Sequence, residues 1–541
     1  MAAGRIPRGS SHDVQLAVMG EEFDYRQSVV IDASMKQGTD TWIRAVGGVV
    51  NQDGPWDFVI PPSQDRYYML SSSGLEMSLK VTKADGTDLS RSADIVAPIN
   101  QIGSTLWQSV EVSLNGHPFS GSSSVNVGYK TYLETLLSYD NDSFSTHLRI
   151  QGFFADTPGA QSKMRVSPLM PMKAWAAKLI SGDIPWPAIP AAIADAQATD
   201  DSREEELLDA LGPPVDVDEW AGVGDDLRER KARVALYQRE FKNLIGAATW
   251  GSVMQGADKL NMGFNDRFQM CSGSSTFNVW SPVPHDFFRL NSHVGPGNLI
   301  GIKLTRQPDR FVLNTPLADK GYKLRIMDMK LHLRTVERRE TIPPPLVEKY
   351  RMSETQWHWH VMATNTSNSL NRIVHGGVLP KTLAIVMLPT RAVEGAYSRN
   401  PWDLHNADIK EMRLKVNGRM VPETGLRFDF GAANPQVARA YRWLFENTGC
   451  TGMEKGNLIS YQAFCDGSFV VPFDLTPDRC NGAHDHDAEY GYIDLEVDLA
   501  KPTPEPYYIG VYMMFPKLVV NDKTRGLVQM QDIEADMSSM S

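Results

Sequence analysis

Cysteine is scarce in this chain of 541 residues, which contains Cys271, Cys450, Cys465 and Cys480 and no other thiol. None of them forms a Cys-x-x-Cys pair, and four cysteines spread over this length are too few for a disulfide framework. We therefore expect reduced thiols in a protein that matures inside a cell.

Long apolar runs and a surplus of basic residues are also missing. No apolar stretch approaches the ~20 residues that cross a bilayer, so we expect no transmembrane segment. The opening "MAAGRIPRGSSHDVQL" lacks the apolar core of a secretory signal. The formal net charge of −11 has the opposite sign to the surface of a general nucleic-acid binder, so we expect no specific nucleic-acid contact.

Common catalytic signatures are absent as well. The sequence contains no GxxxxGK[ST] phosphate loop, no GxSxG nucleophile elbow, no HExxH pair and no EF-hand loop. We predict that the chain is not an enzyme, has no catalytic residues and needs no cofactor.

The stretch "HDHDAE" holds the residues most able to bind a metal: His484, Asp485, His486 and Asp487. Imidazoles and carboxylates suit a hard or borderline cation. Adjacent side chains on a strand point to opposite faces, so these groups converge only if the loop curls. A solvated loop between two strands is therefore the favoured interpretation, and the four residues stay the weaker, metal-binding alternative.

Two further histidine motifs invite a chemical interpretation. "WHWH" places His358 and His360 on one face of a strand and two tryptophans on the other, which predicts a half-exposed strand face more than a metal site. "PHDFF", from Pro284, could suggest acid–base chemistry through His285. A surface turn is the favoured interpretation of that motif.

What the sequence does contain is a long series of β patterns. Apolar and polar residues alternate in many runs separated by Gly, Asn, Asp and Pro, which is typical of half-buried strands. "LEMSLKV" places one apolar set on a single face: Leu75, Met77, Leu79 and Val81. In "LRIMDMKLHLRTV" the apolar face is predicted to comprise Met327, Met329, Leu331 and Leu333.

Two stretches repeat the same order of elements. "SVEVSLNGHPF" and "EMRLKVNGRMVP" are alternating strands that reach an Asn-Gly hairpin signal, at Asn115-Gly116 and Asn417-Gly418. A short helix with aromatic residues follows each, "YKTYLETLLSY" (which we expect to be amphipathic) and "ARAYRWLFEN", and a long strand closes each half. The repeat predicts a mainly β protein with two eight-stranded antiparallel β-sandwiches side by side, a double jelly roll with short helices and one long insertion.

Composition sets the expected domain limits. Residues 1–340 are predicted to form an N-terminal jelly roll carrying an inserted Pro/Ala/acid-rich and helical segment at about 159–250. A Pro-rich linker is expected at 341–356, a C-terminal jelly roll at 357–530 and a loose tail at 531–541.

Several stretches together resemble one family. "DIVAPINQIGSTLWQSVEVSLNGHPFS", "HDFFRLNSHVGPGNLIGIKLTR", "GVLPKTLAIVMLPTRAVEGAYSRNPW", "FDLTPD" and "YYIGVYMMFPKLVVNDKTR" run in series between Asp94 and Arg525. They are similar to the double jelly-roll major capsid proteins of Polinton (Maverick) elements, adintoviruses and polinton-like viruses. The insertion at 159–224 departs from that shared pattern.

The resemblance implies a structural virion protein of an icosahedral double-stranded DNA virus. It implies a homotrimer whose six barrels form a pseudo-hexagonal capsomer, assembled inside the infected host cell. The implied partners are neighbouring capsomers, penton proteins and minor capsid proteins. Three alternatives remain open: a minor or penton capsid protein, a carbohydrate-binding β-sandwich, and a metal-dependent β-sandwich enzyme that uses the His484–Asp487 loop.

Overall fold

The structure is a computed structural model. It describes residues 35–46, 54–90, 94–119, 126–164, 261–317, 320–339, 345–363, 369–431, 435–452, 455–480, 484 and 486–533. Most of the predicted insertion, including its helical part, and the end of the tail lie outside these residues.

The strands of the first half comprise β1 (Met35–Arg44), β2 (Trp56–Ile60), β3 (Arg66–Lys83), β4 (Ala97–Pro98), β5 (Trp107–Leu114), β6 (His117–Pro118), β7 (Phe277–Pro282), β8 (Ile300–Arg306), β9 (Leu313–Asn314) and β10 (Tyr322–Arg338). Two antiparallel four-stranded sheets result, with the orders β1-β10-β3-β7 and β2-β8-β5-β6. Strands β4 and β9 form a small separate pair.

The second half contains β11 (Val347–Met362), β12 (Ser369–Val378), β13 (Thr382–Pro389), β14 (Ile409–Val416), β15 (Arg419–Arg427), β16 (Val470–Asp474), β17 (Tyr490–Leu499), β18 (Tyr507–Asp522) and β19 (Leu527–Asp532). The sheets have the orders β11-β18-β13-β16 and β12-β17-β14-β15, and β19 adds to the far part of β18.

The helices of the described regions are α1 (Ile102–Thr105), α2 (Val127–Ser138), α3 (Asn141–Ser145), α4 (Met262–Cys271), α5 (Asp309–Val312), α6 (Thr390–Val393), α7 (Ala438–Glu446) and α8 (Tyr461–Cys465). Short 3-10 turns cover His147–Gln151, Ser272–Ser274 and Asp286–Arg289. Helices α2 and α7 occupy equivalent places in the chain, each between the fifth and sixth barrel strands of its half when β4 and β9 are left out.

The two halves share one strand order. Leaving out β4, β9 and β19, the first, eighth, third and sixth strands of each half form one sheet in that order, and the second, seventh, fourth and fifth strands form the other. This is the arrangement of two jelly rolls, and the predicted double jelly roll is confirmed. Facing sheets bury the apolar side of each strand, and the buried residues of both barrels join in one contiguous core.

The predicted turns are confirmed in detail. Asn115 and Gly116 have φ of 53° and 81°, and Asn417 and Gly418 have φ of 51° and 80°. Two successive residues with positive φ are what a tight hairpin turn of the I′ type requires, and Asn-Gly adopts it at low cost. The turns join β5 to β6 and β14 to β15.

Strand β10 corrects one prediction about its apolar face. Ile326 pairs with Leu79 but Asp328 pairs with Ser78, so a bulge at Met327 shifts the register by one residue. A one-residue shift reverses which side chains face the core. Met329, Leu331 and Leu333 are buried as predicted, whereas Met327 is 50% exposed.

The expected linker at 341–356 is wrong in its second part. Strand β11 begins at Val347. It pairs with β18 along its whole length, from Val347 opposite Asp522 to Met362 opposite Tyr507. The expected tail also begins too early, because β19 continues to Asp532. Pairing with β18 decides both boundaries: β11 meets it from far away in sequence, whereas β19 folds back on it as a hairpin.

Candidate functional site

Helix α2 lies at the interface between the two barrels, here called the seam, and contributes aromatic rings to it. The ring of Tyr129 lies 5.6 Å from Trp357, 5.0 Å from Trp359 and 5.1 Å from Trp402, and Tyr132 stacks on Trp402 at 4.6 Å. Every residue from Val127 to Leu136 is buried, so the predicted amphipathic helix has no solvent face over that span. Burial between two barrels explains the difference, because both sides of the helix meet protein.

A buried ion pair lies beside this aromatic cluster. The Lys130 ammonium donates to the Asp286 carboxylate, and the other oxygen of Asp286 accepts the backbone N–H of Thr355, on β11, at 2.9 Å. Burial alone raises the pKa of Asp286, but the charges of Lys130 and Arg289 outweigh it and hold that pKa below its usual range. The carboxylate therefore stays charged and connects the first barrel to the second.

A second charged contact crosses the seam through Glu134 of α2. Its carboxylate pairs with Arg289 at 2.5 Å and accepts the phenolic O–H of Tyr512, on β18, at 2.9 Å. Burial, followed by the nearby Glu134 carboxylate, raises the pKa of Tyr512 well above its usual value. The phenol therefore stays protonated at neutral pH and donates this hydrogen bond.

His285 corrects the expected surface turn in "PHDFF". Its side chain is fully buried, and its Nδ1 accepts the N–H of Phe287 at 3.1 Å, which caps the 3-10 turn. Burial, only partly opposed by Asp286, lowers the pKa of His285 to about 4. The motif lies in the seam, where a neutral imidazole serves as a cap.

A third polar contact, here called the Glu348 network, joins the ends of the barrels. The Glu348 carboxylate accepts from Lys523 at 2.7 Å, Tyr350 at 2.7 Å, and both Asn298 and Asn521 at 2.9 Å. Only 6% of the Glu348 side chain is exposed. The four donors compensate the free-energy cost of burying its charge.

The Glu348 network also reaches the predicted hairpin. Asn115 donates to Asn298 at 2.9 Å, and its side-chain oxygen accepts the N–H of Leu299 at the same distance. Asn115 also donates to the side-chain oxygen of Asn521 on β18 at 3.3 Å, so the Asn-Gly turn both shapes the hairpin and joins the first barrel to the second. Sequence reasoning found the turn but missed Glu348, which lies inside the expected linker; its alternating "VEKYRM" context is the signal that could have identified a strand.

The chain leading into the insertion is held by the second barrel. Arg267, which is completely buried, pairs with Asp156 at 2.8 Å, and Asn400 donates to the same carboxylate at 3.1 Å. Gln161 donates to the backbone carbonyl of Asp466 at 2.8 Å. The first end of the insertion is therefore fixed at the seam.

The histidine-rich loop is curled, unlike the extended arrangement considered above. Within the described part of the chain, ligand atoms of Asp478, Cys480, His484 and His486 lie within 4.8 Å of one another. The Nε2 atoms of His484 and His486 lie 2.9 and 3.0 Å from the two oxygens of Asp478. Asp487 is exposed and outside this group, and Asp485 lies outside the described residues.

Local hydrogen bonds explain the curl. Asp474, at the end of β16, accepts the N–H of Thr476 at 3.0 Å and its hydroxyl at 2.6 Å, which starts a tight turn. The N–H of Cys480 is then shared between the Thr476 hydroxyl at 3.2 Å and the Asp478 carboxylate at 3.1 Å. The turn brings Asp478 and Cys480 back toward the histidines.

Contacts with the barrel hold this loop in place. The Arg479 guanidinium lies 5.0 Å above the ring of Trp443 on α7, and Lys381 donates to the carbonyl of His484 at 2.7 Å. A hydrogen bond with Cys480, followed by the contact with Asp478, raises the pKa of His486.

The "WHWH" motif lies on β11 as predicted. Trp357 is buried and Trp359 packs against the core, while His358 is exposed and His360 is half-buried. Burial lowers the pKa of both histidines. Neither belongs to a converging group of metal-ligand atoms in the described regions.

No protein-family model matches the sequence. An uncharacterized protein of Caenorhabditis elegans is 26% identical over 108 residues, which are 19% of this chain and only 26% of that protein.

Solved structures match over much longer spans. A chain of the Sputnik virophage, determined by cryo-electron microscopy, has a TM-score of 0.52 and 11% identity, covering 100% of this chain and 96% of its own. The two chains share a fold. The crystal structure of the mavirus major capsid protein has a TM-score of 0.47 and 10% identity, covering 96% of each chain. No helix in the described residues is long and apolar enough to cross a membrane.

Proposed function

We propose that this chain is the major capsid protein of an icosahedral double-stranded DNA virus, of the Polinton, adintovirus or polinton-like type. The observation that carries the proposal is the pair of jelly rolls with identical strand order, joined by a buried polar seam. The whole-chain likeness to a Sputnik virophage chain supports it. The protein is then structural and not an enzyme, and its location is the virion shell.

We further propose that the working unit is a homotrimer. Three copies of a rigid two-barrel subunit present six similar barrels, which suits a pseudo-hexagonal capsomer. We place the division between the barrels of each subunit between Arg339 and Leu346. Neighbouring capsomers, penton proteins and minor capsid proteins are the remaining proposed partners.

Exposed apolar residues on the second barrel support contact with neighbours. Ile373 on β12 and Tyr490 and Tyr492 on β17 are 64%, 68% and 45% exposed on paired strands. Aromatic residues exposed in this way are enriched at protein interfaces. We assign this surface, the β12–β17 face, to a contact within or between capsomers.

The oligomeric state of the purified chain tests the proposal. Native mass spectrometry should give a trimer, and negative-stain images should show pseudo-hexagonal particles. A stable monomer at micromolar concentration contradicts the proposal, and pentamers would support the penton alternative.

A paired variant tests the β12–β17 face. Ile373→Ser with Tyr490→Ser should weaken association, either of the trimer or of trimers with one another. Met262→Ser, which changes a residue that is 55% exposed at the start of α4, is the matched control and should leave association unchanged. Equal association of both variants would remove this face from the proposal.

A further inference from the structure

The curled loop between β16 and β17 contains four side chains with the chemistry of a zinc site. They supply one thiol, two imidazoles and one carboxylate, all from Asp478 to His486. Zn²⁺ is bound in proteins by these ligand types, and its structural sites are almost always tetrahedral with four protein ligands. Softer and harder cations fit less well, because thiolate disfavours Mg²⁺ and Ca²⁺ while the carboxylate is a poor ligand for Cu⁺.

We propose that Asp478, Cys480, His484 and His486 form a structural Zn²⁺ site that closes this loop. The spacing Asp-x-Cys and His-x-His provides two short ligand pairs, and the turn at Thr476 brings them face to face. The proposal is independent of the capsid function, since it concerns only the loop of one barrel.

The geometry needs little adjustment to accept the ion. Zinc bonds of about 2.0–2.3 Å in a tetrahedron separate the ligand atoms by roughly 3.3–3.8 Å. The four ligand atoms here span at most 4.8 Å, so closure requires movement of about 1 Å. Both histidine Nε2 atoms already point at Asp478, at 2.9 and 3.0 Å.

Neighbouring contacts would orient the ligands. The N–H of Cys480 is fixed by Thr476, and Lys381 holds the backbone carbonyl of His484 at 2.7 Å. Arg479, between two ligands, stacks over Trp443 and fixes the turn on α7. Outer contacts of this kind are what position metal ligands in advance.

The donor set also decides between a structural and a catalytic role. Four protein ligands fill the tetrahedron and leave no position for a water or a substrate, whereas catalytic zinc sites keep one open. The site therefore differs from the metal-dependent enzyme considered from the sequence, both in its carboxylate, Asp478, and in its role.

Metal analysis of the full-length chain, purified without a histidine tag and dialysed extensively, tests the proposal. One zinc per chain should remain. Replacement by Co²⁺ should give a thiolate-to-metal charge-transfer band that Cys480→Ser abolishes. Cys480→Ser and His484→Ala should each lower zinc affinity at least about 100-fold, because even changes outside the ligand shell cost 10–100-fold.

Controls separate ligand loss from misfolding. Cys450→Ser changes another thiol of the same barrel, which donates to the carbonyl of Thr448 at 3.5 Å, and should retain full zinc affinity. His484→Gln offers a milder change should His484→Ala fail to fold. Loss of zinc on dialysis would mark an adventitious ion only and would overturn the proposal. Unchanged zinc affinity in a folded Cys480→Ser variant would overturn it as well.

Discussion

Replacing His285 should change how the stability of the protein depends on pH. His285 is completely buried in the seam, and its Nδ1 accepts the N–H of Phe287 at 3.1 Å. His285→Asn keeps a side-chain oxygen that can cap the same N–H, as Asn does at helix starts, but removes the titrating ring. The comparison therefore isolates protonation from loss of the cap.

The magnitude follows from the displaced pKa. Burial lowers the pKa of His285 from 6.5 to about 4, and each unit corresponds to about 1.4 kcal/mol, so the full linkage is about 3 kcal/mol. The folded protein favours the neutral ring, whereas the unfolded chain binds a proton below its higher pKa. The neutral ring of His285 therefore makes its full contribution to the free energy of unfolding above pH 6.5. That contribution declines as the pH falls from 6.5 to about 4, and it is lost below pH 4.

Denaturant unfolding of the parent and His285→Asn across this pH range is the assay. The unfolding free energy of the parent minus that of His285→Asn should fall by about 3 kcal/mol from neutral pH to pH 4, because the parent alone loses stability through this ring. Parallel pH curves for the two proteins would refute the assignment of His285 as a buried, neutral group.

Three further changes test the seam and the repeat by thermal and chemical unfolding. Glu348→Gln should cost about 3 kcal/mol because it removes the buried charge that pairs with the half-buried Lys523 ammonium and puts an amide NH2 among its hydrogen-bond donors. Glu337→Gln, at a surface pair, should cost less than about 1 kcal/mol. Trp402→Ala should cost about 3–5 kcal/mol as a buried aromatic deletion, whereas Trp42→Ala, at a residue that is 56% exposed, should have little effect. Gly418→Ala should cost about 1 kcal/mol because φ is 80°, with no clash involved. Unchanged stability of Glu348→Gln or Trp402→Ala would contradict the contact that it removes, and unchanged stability of Gly418→Ala would contradict the positive φ of the turn.

The elements that the sequence predicts well are those specified by neighbouring residues. The Asn-Gly turns depend on two adjacent residues that tolerate positive φ, and alternation along β3 depends on one strand facing one core. Leu75, Met77 and Leu79 are each at most 1% exposed, as their spacing predicts. The duplication is detectable for the same reason, because each half repeats these local signals in the same order.

The seam could not be predicted because its contacts join residues far apart in sequence. Lys523 and Glu348 are 175 positions apart, and Asn521 and Asn298 are 223 apart. A single sequence carries no record of which distant residue meets a given charge. Glu348 therefore looked like part of a polar linker, although it is one of the most thoroughly hydrogen-bonded carboxylates in the described regions.

The histidine-rich loop shows a partial success of the same kind. The sequence pointed to His484 and His486, which the structure does bring together. Of the two carboxylates it pointed to, Asp487 lies outside the group and Asp485 outside the described residues, while the carboxylate beside the histidines is that of Asp478, from the preceding turn. The hydrogen bonds around Thr476 bend the chain at the turn that carries Asp478.

The mixture of aromatic and charged contacts in the seam has a consequence for assembly. Aromatic burial stabilises the contact but tolerates small rotations, because dispersion and desolvation depend weakly on angle. Buried charges such as Glu348 and Asp286 tolerate little rotation, since each loses the hydrogen bonds that offset its burial when a donor moves away. The aromatic cluster thus supplies stability, and the polar contacts fix the angle between the barrels. In a proposed shell of repeated subunits, a small error in that angle recurs at every capsomer, so a polar seam is favoured even where an apolar one would be equally stable.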